Sequence, residues 1–357
     1  MLFKNAIAFY LAEAPSKDML REAFIKHRFK SARPHEEMRS GWVPVEGNED
    51  DLEADLMHDA GAISLFYYQE QQKILPSSVI NDEINRYIAD EVKMYGHKPS
   101  KKQISDQKIA IRYSLLPKAF SKYKKSFAYI DHETSMVIVG TNSMNTANEV
   151  LNLLRASLGT LKVYPMSSKE RSHSGVMTDW LRDGGNNFPE KVVPGQEIVL
   201  KDVDGSKGSF TKQDLASEEI SSCIEAGKKA DKVRISWNDY LGITLDTDLV
   251  LRKITPLSTF EDDSEDQYEE DFNGDTGFLH AQLLLTVEAM RTMIPNIEKW
   301  FEIEKPEMVI SKTSEFKSKV FNETDVEDAD QSGDQSGDQD GLNEEIEGFF
   351  EETALSD

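Results

Sequence analysis

Two pairs of acids stand in the sequence with one residue between them: Asp131 with Glu133 in "DHET", and Asp246 with Asp248 in "LDTD". Carboxylates so placed can share a Mg2+ ion, and a Mg2+ ion held by acids is the chemistry of a nuclease. Both pairs fall at the ends of expected strands, where turn chemistry accounts for acids equally well. Seven histidines supply no HExxH, and "HEE" at 35 and "HET" at 132 lack the second histidine of a zincin. No GxSxG, Walker loop or GxGxxG occurs, and "DFNGDTG" at 271–277 has no acid at the twelfth place of a calcium loop. No catalytic residue, metal or cofactor is therefore expected, and the protein reads as a non-enzyme.

The residues that do concentrate are cations. Residues 97–125 hold eight Lys and one Arg against Asp106 alone, in a chain whose formal net charge is −24. Much of that charge is local: 14 acids and no base lie in residues 322–357, and eight acids and no base in "EDDSEDQYEED" at 261–271, so the remainder is close to neutral. A basic block on a balanced body is the footprint of polyanion binding, although many charge runs are simply solvated faces.

Within the block, "LLPKAFSKYKK" at 115–125 sets Lys118, Lys122, Lys124 and Lys125 around Phe120 and Tyr123. If the chain beyond Pro117 is extended, Phe120 shares a face with Lys118, Lys122 and Lys124. If it is helical, Lys118, Lys122 and Lys125 share a stripe and Phe120 points away. A lone phenylalanine is ordinarily buried, so residue types favour the core for Phe120. A second cationic place is "FTKQDLASEEISSCIEAGKK" at 210–229. There Lys212 and Gln213 precede an expected helix capped by Asp214, whose free N–H groups would seat a phosphate. A capped surface helix is the plainer reading.

The elements that must hold these residues alternate in type. Strands are expected at 2–11 and 62–69, a helix opened by Ser16, and a hairpin over 126–141 with "DHETS" as its turn. Ile80, Ile84, Ile88, Val92 and Tyr95 recur at spacings of four and three, an amphipathic helix ended by Gly96 and Pro99. Ile104, Ile111 and Leu115 make the packed stripe of the next helix, with Lys101, Lys108 and Arg112 beside it and Pro117 as its stop. Thr146 and Glu149 stand in capping-box register for a helix stopped by Gly159. Further on come a helix at 175–182, a strand at 197–203, a helix at 213–227 around Cys223, and three close strands, "KVRISW", "YLGITLD" and "LVLRKITP". Leu283, Val287, Met290, Ile294, Ile297 and Phe301 define a last long helix, of the core or of a dimer contact.

Adjacent short strands with separate helices indicate an α+β fold of mixed, largely antiparallel sheets with flanking helices. The expected organisation is an α+β region at 1–170 with a basic helical excursion at 77–125, a second at 171–303, and an acidic disordered tail at 304–357. The only cysteine is Cys223, no run of about 18 apolar residues occurs, and the apolar stretch after Lys4 is cut short by Glu13, so a cytoplasmic protein is expected.

Several stretches resemble, in order, the RdgC family of bacterial recombination-associated proteins: "MLFKN", "GWVP" at 41–44, "KILP" at 73–76, "LLPKAFS" at 115–121, "LLRASLG" at 153–159 and "KQDLASEEISSCIEAGK" at 212–228. The resemblance covers about residues 1–300; residues 28–40 and 167–200 match poorly, and the chain beyond 302 looks like an extension. It implies a ring-shaped homodimer that encircles double-stranded DNA without sequence preference, restrains the strand-exchange recombinase, and associates with the nucleoid. It places DNA contacts at Phe120, Lys212 and Gln213, reversing the preference for a buried Phe120, and joins them to Lys118, Lys122, Lys124 and Lys125. A Mg2+-dependent nuclease using Asp131, Glu133, Asp246 and Asp248 is the alternative. The acidic tail, with Ile346, Phe349, Phe350 and Leu355 among its acids, is expected to weaken DNA binding or dock a partner, or merely to solubilise.

Overall fold

A computed structural model describes residues 2–47, 51–168, 170–260 and 275–306, all within one unit, Met1–Thr313. The acidic insert at 261–271 and the tail from 307 onward lie outside the described residues.

All five residues of strand β1 (Ile7–Leu11) are buried. Side chains alternate across a strand, so a run that is apolar at every position needs cover on both faces. Ile7, Phe9 and Leu11 enter one core with Leu20 and Phe24 of α1 (Lys17–Lys26) and Val150, Leu151 and Leu154 of α4 (Met144–Leu158). Ala8 and Tyr10 enter the other, shared with the second sheet and with Leu283, Val287, Met290, Ile294 and Ile297 of α7 (Asp275–Trp300). The last helix is thus a core helix, and no helix among the described residues is long and apolar enough to cross a membrane.

The first sheet runs β2 (Met38–Val43), β4 (Ile63–Ile74), β5 (Phe120–Asp131), β6 (Met136–Val139), β1, β7 (Val163–Pro165), with β3 (Met57–Ala60) also pairing β4. The second runs β12 (Leu251–Pro256), β11 (Leu241–Asp246), β10 (Lys229–Trp237), β8 (Val192–Lys201), β9 (Lys207–Thr211). Every strand-to-strand ladder in the two sheets is antiparallel, so the α+β fold with antiparallel sheets and flanking helices is observed.

Helix ends follow local chemistry. Ser16 caps α1 by accepting from Met19 N–H, and Gly96 closes α2 (Ser77–Tyr95) with a φ of 75° that suits glycine. Helix α3 (Lys101–Leu115) opens with a Ser100–Gln103 capping box. Two expected caps move. Helix α4 is capped by Ser143, whose hydroxyl accepts from Thr146 N–H, rather than by Thr146 itself. Helix α6 (Glu218–Glu225) begins after Ser217, four residues beyond Gln213. The hairpin strand also begins earlier than expected, at Phe120, because its whole length is held by twelve residue pairs with β4.

Candidate nucleic-acid interface

Strand β5 divides in the middle. From Ser126 to Asp131 its residues are buried or half-buried, whereas from Phe120 to Lys125 they are half-buried or exposed. The ladder with β4 continues to Ile74 and Phe120, while β6 pairs only Ala128 to Asp131. The strand therefore projects past its β6 pairing by roughly 27 Å at about 3.4 Å per residue. The extended geometry, not the helical one, is what the chain adopts. Phe120, Lys122 and Lys124 share one face, and Lys118 sits in the short 3-10 turn Leu116–Lys118 that leads into it. Lysines suit such a free edge, since cations also discourage edge-to-edge pairing.

Phe120 is 85% exposed, the most open aromatic ring among the described residues, so the core reading of the residue types is overturned. Lys118 and Lys122 are exposed, whereas Lys124 is half-buried, lies 3.5 Å from Glu149 in the second turn of α4 and donates to Thr146 Oγ1. Lys125 points to the opposite face, with its ammonium 4.9 Å from the centre of the Tyr67 ring.

The chain between β4 and β5 forms α2 and α3, which pack on each other, and Ile104, Ile111 and Leu115 are the half-buried stripe of α3. Helix α3 has no fully buried residue, and α2 buries only Ile80 and Ile84. Nine of the sixteen large exposed apolar side chains among the described residues lie between Ile74 and Tyr123, including Met94, Tyr95, Ile109 and Tyr113. Exposed apolar side chains are thus concentrated in this stretch of the chain. Of the three expected helix cations, Lys101 and Lys108 are exposed, and Arg112 is bound to Glu37 at 2.7 Å.

The second locus differs from expectation. Lys212 is exposed and holds a φ of 56° in the turn after β9, while Gln213 donates from Nε2 to Ser217 Oγ at 3.1 Å. Asp214 builds that turn by accepting from Ala216 N–H. The helix beyond carries Glu218 and Glu219 in its first turn, so acids already occupy the positive end expected to seat a phosphate. What stands beside Lys212 is instead the polar face of the second sheet. Lys232 and Arg234 alternate along β10 with buried Val233 and Ile235, and Arg252 and Lys253 follow on β12. The alternation is legible in "KVRISW" as period-two cations. Arg234 lies flat across Gly195 and Gly242, where a Cβ would come within 2.6 Å of its side chain, and its burial lowers its pKa.

The four acids of the nuclease alternative do not converge. Asp131, buried, takes both Nε and Nη2 of Arg291 at 2.7 and 2.9 Å, and Glu133 takes Nη2 at 2.7 Å. Asp131 raises the Arg291 pKa, chiefly through these hydrogen bonds. Asp131 also accepts from the N–H groups of Glu133 and Thr134, which is the turn chemistry the sequence suggests. Asp246 repeats the pattern: it pairs with Arg252 at 2.7 Å and accepts from the N–H groups of Asp248 and Val250. Elsewhere Ser64 bridges Asp59 and His132 but is wholly buried, so the trio holds the fold rather than presenting a nucleophile.

A family model described as "RdgC: Putative exonuclease, RdgC" matches residues 1–304. The recombination-associated protein RdgC of Halorhodospira halophila is 29% identical over 310 residues, spanning 85% of this chain and 99% of its own length. Its namesake in Proteus mirabilis is 30% identical over 300 residues, 81% of this chain and 97% of that one. That of Yersinia pestis is likewise 30% identical over 300 residues, 83% of this chain and 96% of that one.

Proposed function

The chain belongs to the RdgC family of recombination-associated proteins, and on that premise we propose that it is a non-enzymatic, sequence-independent double-stranded DNA-binding protein. The observation that carries this reading is the outer half of β5, which lifts Phe120 and Lys122 clear of the core on one face, with Lys124 behind them on the same face and held by Glu149. Cations spaced along a strand hold phosphates by releasing counterions, which gives affinity without reading bases. Phe120 adds an apolar ring that can press on base steps or close against its copy in a second chain. Lys212 and Gln213 form a second binding locus.

Two copies of the chain meet through the exposed apolar side chains of α2 and α3 and close a ring around the duplex, doubling each cationic locus by two-fold symmetry. A duplex so enclosed is withheld from the strand-exchange recombinase, and the protein follows DNA to the nucleoid. Native mass measurement with and without duplex tests this. The expected species is two chains, and two chains with one duplex; a monomer in both conditions overturns the ring.

The exonuclease named in the family description is the second reading. Support for the non-enzymatic one comes from Asp131, Glu133 and Asp246, each already bound to an arginine. Incubating labelled duplex with Mg2+ separates the two: intact DNA is expected, and degradation abolished by substituting Asp131 and Asp246 would favour the exonuclease.

A further inference from the structure

The polar face of the second sheet closes against Asn5, just before β1, and Asn142, just after β6, around a cavity of about 280 Å³. Its cations are not equivalent. Lys253 is answered by Glu197 at 2.5 Å, and Arg252 by Asp246 at 2.7 Å. Lys232 is half-buried, and its side chain has no ion pair or hydrogen bond among the described residues. Facing the same cavity, Thr244 is only 6% exposed, and its Oγ1 has no hydrogen-bond partner. A buried hydroxyl left unpaired forfeits its hydration for nothing in return, and such groups in a folded protein call for an explanation. One spare cation, one orphaned hydroxyl and two amides around a small cavity have the donor set for an oxyanion.

We propose that this cavity seats the phosphate monoester of a nucleotide. Lys232 supplies the charge, and Thr244 Oγ1, Asn5 and Asn142 supply hydrogen bonds. The assignment of a nucleotide rests on the DNA-binding reading: Thr211 lines the cavity and the next residue is Lys212, one of the proposed DNA contacts. The volume falls just under the roughly 300 Å³ at which ligand sites begin, so a duplex is excluded and the phosphate end of one nucleotide is what the cavity suits. A free nucleoside monophosphate and the 5′-phosphorylated end of a strand present the same group.

The test titrates the full chain with dAMP, deoxyadenosine and inorganic phosphate by calorimetry, alongside Lys232→Gln and Thr244→Val. Saturable binding of dAMP is expected, with none of deoxyadenosine, and each substitution should weaken dAMP at least tenfold. Thr244→Val removes no hydrogen bond of the fold, so its thermal midpoint should hold; a purely structural Thr244 would move the midpoint and leave dAMP binding alone. Absence of saturation by dAMP at millimolar concentration, or binding indifferent to both substitutions, overturns the proposal. Comparing 5′-phosphorylated with 5′-hydroxyl blunt duplexes identifies the source: preference for the former assigns a strand end, equality with dAMP binding retained assigns a free nucleotide. Relaxed circular duplex keeps the two readings apart. Circles bound without dAMP binding sink the cavity alone, and dAMP bound without circles sinks the DNA reading alone.

Discussion

Tyr129 and Phe120 are aromatic residues nine positions apart on one strand, both paired to β4, and their surroundings are opposite: Tyr129 is 1% exposed against the Phe3 ring, Phe120 is 85% exposed. The inner half of β5 is consumed by the fold, since β6 lies on its other side and both of its faces meet apolar cover. The outer half has a ladder on one side only and gives its side chains to solvent. A strand can be fixed by half its length, and that leaves the remainder free to carry residues chosen for another molecule.

The largest effect should come from exchanging alanine into the two halves. Tyr129→Ala should cost about 3–5 kcal/mol of stability by urea unfolding, the range for truncating a buried aromatic. Phe120→Ala should fall within about 0.5 kcal/mol of the parent while weakening duplex binding. Equal costs in the two would erase the distinction.

Next is the link between the inner half and α7. Arg291→Met leaves Asp131 buried without its partner, and breaking a buried pair costs about 3–5 kcal/mol. Because Arg291 is itself 35% exposed, solvent reduces this to about 2 kcal/mol. The double variant Asp131→Asn/Arg291→Met should recover part of that stability in a thermal melt, which a purely steric role for Arg291 would not allow.

A smaller effect concerns pH. Burial first, and the Lys17 charge second, hold the His132 pKa below its ordinary 6.5. The unfolded chain therefore binds this proton more readily than the folded one. Stability from this group is present above pH 6.5 and falls as pH drops below that value. His132→Asn should flatten the decline in melting temperature between pH 7.5 and 5.5, and Lys122→Ala on the outer half should leave it unchanged.

The smallest difference separates neighbours. Lys122→Ala should weaken duplex binding severalfold, whereas Lys125→Ala should weaken it less than about twofold, because its ammonium lies over Tyr67 on the other face. Fluorescence anisotropy with one duplex at one salt concentration decides between them.

Much of the fold is readable from residues. The Ser16 cap, the Ile80 and Ile84 stripe closed by Gly96, and the three strands of "KVRISW", "YLGITLD" and "LVLRKITP" all appear where local patterning puts them. Other elements depend on pairing, which no local pattern states. Strands β2, β3 and β9 are not among the expected elements, and β4 extends through buried Gln69, Glu70 and Gln71, polar residues whose burial depends on neighbours on both sides. "FSKYKK" becomes strand because β4 offers it a ladder, so the exposure of Phe120 does not follow from its type. Helix α6 starts later than expected because Asp214 is spent on the preceding turn, and Glu218 and Glu219 in the first turn favour a start after Ser217, although the Ser217 side chain makes no capping hydrogen bond. The cations of β10 are legible as an alternation, but the face they share with β12 exists only once the sheet is paired.

The phosphate contacts proposed for the outer half of β5 should hold duplex DNA independently of base sequence and without supporting the fold. The salt dependence of affinity for two unrelated duplexes decides this, parent against the Lys118→Ala/Lys122→Ala variant. The log-log slope should become shallower by about 0.9 for each phosphate no longer neutralised, equally on both sequences, with the melting temperature unchanged because neither lysine has a partner in the fold. An unaltered slope, or weakening confined to one sequence, would contradict it.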